Sequence, residues 1–346
     1  MIFRPTTETD HPAIADLLTR SFRMRPGNLF HSLPHQRWKY WQPRADWTGP
    51  RSYVFENEGK LLAHGCVWPM PVEGPERRWN AIYLIDWGTD PSAPAGTGIA
   101  LLRRIAALTD AICAIGGSEM TRAIMPKIGF RSYNDFSMAA RPLRPLRQFA
   151  THQNRGWKLP ARVVRNALWS AWPRSTAPRG WKAVACRPDE IPESLWPQPD
   201  AALATPERTA VLFAYLAESP WAQYAQFRLE RDGVPAGYLC LSFAAGQARV
   251  ADVWLPSRDP DDWRVAYVLA IAEARRLWSD AAEIVASCSV AWGLEGLTRA
   301  GFRVIARDPI TFYGLNGFPG NSSSFHLQMI DADFSFLHTG EIEYRT

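Results

Sequence analysis

The sequence predicts an α/β (α+β) protein made of two similar units, each a mixed, mostly antiparallel sheet flanked by helices. Two observations predict it. Short apolar runs rich in strand formers alternate with stretches whose apolar residues recur every three or four positions. The same succession of segments then occurs a second time. Phe227-Arg228-Leu229-Glu230-Arg231-Asp232-Gly233 mirrors Tyr53-Val54-Phe55-Glu56-Asn57-Glu58-Gly59. Ala251-Asp252-Val253-Trp254-Leu255-Pro256 mirrors Ile85-Asp86-Trp87-Gly88, and Leu297-Thr298-Arg299-Ala300-Gly301-Phe302-Arg303 echoes Pro126-Lys127-Ile128-Gly129-Phe130-Arg131. The matched positions Gly59/Gly233, Asp86/Asp252 and Gly129/Gly301 lie 174, 166 and 172 residues apart, a near-constant spacing that points to a tandem duplication.

The first unit opens with a strand over 2–4 and a helix over 11–22 that carries Ile14, Leu17 and Leu18 on one face. A Trp/Tyr/Pro-rich loop over 38–50 follows. Strands over 52–56 and 61–68 are joined by the turn Asn57-Glu58-Gly59. Ala81-Ile82-Tyr83-Leu84-Ile85 is the next strand, and Leu101, Leu102, Ile105 and Leu108 mark the helix after it. A strand over 111–115, a helix over 120–128 stopped by Gly129, and a strand over 130–138 complete the unit. In the second unit Asp259-Pro260 reads as an N-cap followed by Pro at the first helical position. The helix it opens runs over 261–278 with Val265, Val268, Leu269 and Ala272 as its stripe, and a strand over 284–287 comes next.

Between the units, residues 141–181 are rich in Arg, Pro and Trp. A short basic helix over 161–172 places Val164, Leu168 and Trp172 on one side. It reads as a linker helix packed between the units with a solvated basic face; peripheral contact with an anionic membrane is the alternative.

A chain of 346 residues with 47% apolar residues suits two domains with full cores. Its 16 tryptophans are read mainly as large core side chains. A net charge of +5 suits an anionic ligand, an acidic surface or nucleic acid without choosing among them. The five scattered cysteines contain no CxxC pair, so neither a zinc site nor a disulfide framework is implied, and reduced thiols in a cytoplasm are the simplest reading. The N-terminus lacks the basic and apolar regions of a signal peptide, and no apolar run is long enough for a transmembrane helix.

The stretch from Asp86 to Leu102 carries the chemistry. A strand hands over to a helix through Pro94-Ala95-Gly96-Thr97-Gly98. At a helix start the backbone N–H groups lack intrahelical partners and the dipole favours an anion, and glycines let a phosphate approach those amides closely. The segment is therefore a candidate pyrophosphate cradle. It is neither a Walker loop nor a Gly-x-Gly-x-x-Gly fingerprint.

This order of elements resembles the GNAT family of acyl-CoA N-acyltransferases, with two GNAT-like units in one chain. The resemblance rests on two motifs. The family's pyrophosphate pattern, Gln/Arg-x-x-Gly-x-Gly/Ala, is matched at Gly96, Gly98 and the apolar pair Leu101-Leu102, with Ala93 in place of the leading Gln/Arg. The family's helix end, Tyr-x-x-x-Gly-Phe, is matched at Gly129-Phe130 and at Gly301-Phe302, with Met125 and Leu297 where Tyr is usual. The resemblance implies a GNAT-like acyl-CoA-binding domain over 1–140, a linker over 141–182 and a second, degenerate GNAT-like domain over 183–346. The second unit has Asp259, Asp261 and Asp262 where the first has its glycines, and these carboxylates repel a pyrophosphate. One working cofactor site, in the first unit, is expected.

The activity implied is transfer of an acetyl or short acyl group from acyl-CoA to the amine of a small acceptor, with no metal. Trp87, Gly88 and Thr89, around an expected strand bulge, and Ala95, Gly96, Thr97, Gly98 and Ile99 are the cofactor-binding candidates. Asp86, beside the thioester, is the first candidate base and Glu119, past the next strand, the second; His64 is a third. Tyr133 is the nearest substitute for the missing tyrosine that would protonate the departing thiolate. His31, His35, Trp38, Tyr40 and Trp41 lie in the loop that covers the acceptor in this family, and their aromatic rings favour an amino sugar. No nucleic-acid partner is expected. Two alternatives stay open: an aminoacyl-tRNA-dependent peptidyl transferase of the same tandem architecture, and a non-catalytic acyl-CoA sensor or scaffold.

Overall fold

The computed structural model describes residues 1–74, 76–147, 157–171, 177–200, 202–315, 324–337 and 344–346. Strand β1 (Ile2–Pro5) leads into α1 (His11–Ser21), whose Ile14, Leu17 and Leu18 form the buried stripe of an amphipathic helix. Helix α2 (Leu33–Gln36) then runs on into a single π-helical turn, Arg37–Trp41. The aromatic segment expected as a loop over 38–50 thus begins as helix. Packing explains the difference: Trp38 stacks on Tyr215 at 5.3 Å and meets Phe336 edge-on at 4.9 Å, so the segment is pulled into the core.

Strands β2 (Ser52–Asn57) and β3 (Lys60–Pro69) form a hairpin through Glu58 (φ 50°) and Gly59 (φ 78°), both left-handed as a type I′ turn requires. The short strands β4 (Val72–Glu73) and β5 (Arg78–Trp79) precede β6 (Ala81–Thr89). Helix α3 (Thr97–Ala106), β7 (Ala111–Ile115), α4 (Glu119–Ile124) and β8 (Arg131–Pro142) follow.

Helix α5 (Lys158–Ala171) leads to the second unit. That unit comprises β9 (Trp181–Ala185), β10 (Leu203–Pro206), α6 (Ala210–Ala217), β11 (Gln223–Arg231), β12 (Val234–Ala244), β13 (Gln247–Trp254), α7 (Pro260–Leu277), β14 (Glu283–Cys288), α8 (Ala291–Arg299), β15 (Arg303–Tyr313) and β16 (Ser324–Phe325). The β11–β12 turn repeats the first hairpin, with Asp232 at φ 52° and Gly233 at φ 82°. The Asp259 side chain caps α7 by accepting from the Asp261 amide at 2.9 Å, as Asp259-Pro260 predicts.

Among the described residues, twelve strands form one sheet in the order β1-β2-β3-β6-β7-β15-β8-β14-β13-β12-β11-β9. The two units exchange their last long strands. β8, from the first unit, lies between β14 and β15 of the second; β15, from the second, lies between β7 and β8 of the first. Ala139 on β8 faces Ala286 on one side and Val304 on the other. A second sheet, β16-β10-β4-β5, also mixes the two units. One hydrophobic core runs under the sheet from Ile14 to Phe336, and a smaller one packs α3, with Met125 and Phe130 beyond α4, on the opposite face of the first unit. Trp68 Nε1 donates to the Ile330 carbonyl at 3.2 Å, so residues far along the chain complete the first unit's core.

Helix α5 turns a different side inward than its sequence suggests. Leu159, Val163, Asn166 and Trp169 are buried, whereas Val164 and Leu168 are 62% and 69% exposed. Trp169 sets the rotation: its Nε1 donates to the Gly301 carbonyl at 2.7 Å, and the Arg303 guanidinium lies 4.3 Å over its ring. Trp172 lies outside the described residues. Among the described residues, no helix is long and apolar enough to cross a membrane.

Candidate active site

β6 and β7 pair in parallel only over Ala81, Ile82 and Tyr83 against Ala111, Ile112 and Cys113. Beyond that register the strands separate. The Tyr83 hydroxyl spans the start of the gap, donating to the Ile115 carbonyl at 3.1 Å and accepting from its amide at 3.3 Å. On the other edge of β6 the register against β3 slips between His64 and Cys66. This is a β-bulge, and Asp86 sits in it at φ 52°. The bulge keeps Ile85 in the core beneath α1 and sends Trp87 to the α3 side. The expected bulge is therefore present one residue earlier, at Asp86 itself.

Gly96 is the N-cap of α3 at φ 86°, and it offers no side chain to the helix start. Nothing lies within 4 Å of where its Cβ would be, so its requirement is conformational. Gly98 is required for a different reason. A Cβ there would lie 2.5 Å from Thr89 Oγ1, and the Trp87 indole N–H donates to the Gly98 carbonyl at 3.1 Å. The first turn of α3 is thus pressed onto the end of β6, which brings the helix N-terminus to the mouth of the β6–β7 gap. Ala95 and Gly96 are exposed, Gly98 and Ile99 half-buried, and Thr97 buried with its hydroxyl on the Pro94 carbonyl at 2.6 Å. Asp90 braces the turn: it accepts from the Ser92 amide at 2.8 Å and pairs with Arg20 at 2.7 Å. Lys60 reaches in from β3 and donates to Ser92 Oγ at 2.7 Å. It supplies positive charge beside a turn whose sequence has none. Local sequence carries no sign of it, because the contact spans 32 positions.

Around Asp86 the polar groups are closed upon one another. Lys39 and Asp86 form an ion pair with side chains 0% and 1% exposed. The Tyr40 hydroxyl donates to Asp86 Oδ2 at 2.5 Å, and Lys39 Nζ lies 4.2 Å over the Phe30 ring. Burial pushes the Asp86 carboxyl up, but Lys39 and Tyr40 outweigh it and hold the group below the usual carboxylate range. His64 is saturated on both ring nitrogens. Nδ1 meets the Asp86 carbonyl at 2.9 Å and Nε2 meets Ser52 Oγ at 2.9 Å. These partners assign the proton to Nδ1. Burial lowers the ring to about 4, so it is neutral near pH 7.

The second unit repeats the arrangement with different residues. Asp252 sits at the corresponding bulge of β13, where the register slips between Cys240 and Leu241. It accepts from Arg208 Nε at 2.8 Å and from the Tyr238 hydroxyl at 2.7 Å, all three groups being buried. A carboxylate, a cation and a tyrosine hydroxyl at the same strand position in both units mark a device of the fold.

Glu119 begins α4 just beyond β7 and is exposed. Ser118 caps this helix, accepting from the Thr121 amide at 3.1 Å. Tyr133 lies on β8, two strands from β7, with its ring edge-on to Phe325 at 5.1 Å; burial raises its phenol. The strand exchange adds a residue that sequence reasoning missed. Asp308, on β15, lies beside Gly116 at the end of β7 and faces Arg122 at 3.5 Å. Met125, where a tyrosine is usual, is buried in the core beneath α3.

Residues 3–104, from β1 through the glycine turn into α3, match the family model of the acetyltransferase (GNAT) domain. No curated protein matches the sequence. Solved structures share the architecture. A GCN5-related N-acetyltransferase from Anabaena variabilis is 12% identical with TM-score 0.58, the match covering 91% of this chain and 73% of that one. A tandem GNAT protein from the clavulanic acid biosynthesis pathway is 11% identical with TM-score 0.54, over 90% and 98%. N-myristoyltransferase from Saccharomyces cerevisiae, solved with myristoyl-CoA, is 10% identical with TM-score 0.56, over 90% and 80%. The chain has the tandem GNAT fold.

Proposed function

We infer that the first unit binds an acyl-CoA and transfers its acyl group to the amine of a small acceptor. The observation that carries this reading is the glycine turn. Gly96 and Gly98 seat the N-terminus of α3 against Thr89 at the mouth of the β6–β7 gap, inside the segment that matches the GNAT domain. The amides of Gly96, Gly98 and Ile99 and the ammonium of Lys60 take the pyrophosphate, the Thr97 amide being bound to the Pro94 carbonyl at 3.2 Å. The Thr89 amide already donates to Ser21 Oγ at 3.1 Å. We assign the next amide toward the bulge on that side of β6, Trp87 N–H, to the thioester carbonyl, whose oxygen gains negative charge as the amine attacks.

The bulge, in turn, is held by Asp86. Its carboxylate is committed to Lys39 and Tyr40, so we assign it to positioning and give the base role to Glu119, whose exposed carboxylate can take the ammonium proton directly or through water. The amine nitrogen forms the bond to the acyl carbon, the carbon–sulfur bond breaks, and the thiolate takes a proton. Solvent supplies that proton, because Tyr133 stands two strands from β7 and burial makes its phenol a weaker acid than the thiol. The acceptor is a small amine; Trp38 and Tyr40 are buried in the core, so their rings do not select an amino sugar.

Calorimetric titration of acetyl-CoA into the protein and into Gly98→Asp tests the site; binding that survives the substitution would remove the assignment. A release assay for CoA thiol with amino sugars, amino acids and polyamines tests the activity. Glu119→Gln is expected to cut kcat by about 100-fold or more without changing acetyl-CoA affinity.

A further inference from the structure

We propose that the second unit carries a binding site for a small organic cation, an alkylated ammonium or guanidinium of about the size of choline. β13 and β14 pair from Gln247 to Val250 against Glu283 to Ala286 and then part, as β6 and β7 do. Where the first unit presses its glycine turn onto the strand end, the second has Trp254, two residues beyond Asp252. Here the strand end borders a cavity of about 150 Å³. Its walls include Trp196, Trp254 and Trp292, with Gln198, Asp200 and Arg258 at the rim. The volume exceeds the roughly 15 Å³ that a single water needs, so the space is large enough for a ligand.

Charge and ring chemistry choose the ligand. Asp259 opens α7 next to Arg258 and adds a carboxylate near the cavity, which disfavours a phosphate or carboxylate, while Asp261 and Asp262 pair with Arg299 and Arg231. Tryptophan faces attract cations through the ring quadrupole. The chain already shows the mode of binding. The Arg258 guanidinium lies 4.9 Å over the Trp292 ring, and the same side chain pairs with Asp200. A cation thus has a face and a counter-ion waiting, with Arg258 as the stand-in. The Arg258–Asp200 pair is about half exposed on both sides, and such pairs contribute little, so an incoming cation displaces it at small cost. The remaining walls are rigid. Trp196 stacks on Phe213 at 5.6 Å and meets Tyr238 edge-on at 5.0 Å, and Tyr238 is the residue that holds Asp252.

Choline is the probe, with its uncharged isostere, in which carbon replaces nitrogen, as the control. Titration is followed by calorimetry on the full chain. Choline is expected to bind and the isostere to bind at least about tenfold more weakly. Trp292→Ala and Asp200→Asn weaken choline by about tenfold. Arg258→Ala, which empties the face, tightens it several-fold. That last change separates a ligand site from a merely structural cluster, because loss of a structural arginine would not improve binding. Gly98→Asp leaves choline binding intact, so failure here and failure of the acyl-CoA reading are distinguishable. Three results would overturn the proposal: no binding to either the parent chain or Arg258→Ala, equal binding of choline and the isostere, or tryptophan and aspartate variants that fold and bind choline unchanged.

Discussion

Lys39 and Asp86 form an ion pair from which solvent is excluded, joining the helical segment after α2 to the bulge at the end of β6. Arg208 and Asp252 hold the same relation in the second unit. Two charges leave water in the first unit and three in the second, where Arg208 also pairs with the buried Asp331, and the attraction offsets that cost only while the partners remain.

Lys39→Met alone should therefore destabilise the protein by about 3–5 kcal/mol, and Lys39→Met with Asp86→Asn by clearly less. Urea midpoints of the single and double variants measure this; an additive double variant would show that the two groups do not depend on each other. The pH dependence has a defined sign. Asp86 is held below its ordinary value, so its contribution is present above about pH 4 and is lost as pH falls further. Asp86→Asn should lack that part of the acid limb.

Asp333 behaves in the opposite way. Burial and the nearby charge of Asp86 push its carboxyl up to about 6. Its contribution to stability is present below its unfolded value and is lost as pH rises through the folded one. Asp333→Asn should narrow the loss of stability between about pH 4 and about pH 7. Identical pH profiles of the two proteins would contradict this.

The contact between Gly98 and Thr89 predicts a compensating pair. Gly98→Ala places a methyl group 2.5 Å from Thr89 Oγ1 and should lower both stability and acetyl-CoA affinity. Thr89→Ala removes that oxygen, and the next atom, on Trp87, is at an ordinary 3.5 Å. The double variant should recover most of the loss in thermal unfolding. A double variant no better than Gly98→Ala would place the constraint elsewhere.

The strand exchange predicts mutual dependence of the units. Without β15, β7 keeps only its short pairing with β6, and without β8, β14 keeps only its pairing with β13. Residues 1–147 and 157–346 produced separately should each fail to give a cooperative unfolding transition, while the two produced together should give a complex. A stable isolated first fragment would count against this.

Much of the architecture is legible locally. The stripe of Ile14, Leu17 and Leu18, the Glu58-Gly59 and Asp232-Gly233 turns, and the Asp259-Pro260 helix start are written in neighbouring residues, and each forms as expected. Helix α5 shows the limit. Both of its sides carry apolar residues, and the partner of Trp169, the Gly301 carbonyl, decides which side is buried from 132 positions away.

The sequence by itself determined the two-unit α/β plan, the repeat and the glycine turn at 96–98, because periodicity, turn chemistry and helix starts act over a few residues. Tertiary structure alone decided that the units trade strands, that Lys39 neutralises Asp86, and that Lys60 and Asp308 border the first site. Those facts depend on contacts between residues far apart in the chain, which spacing does not encode. The Asp86 bulge joins the two. Its residue type is written in the strand, but only the lysine folded over it turns a candidate base into a buried, ionised anchor.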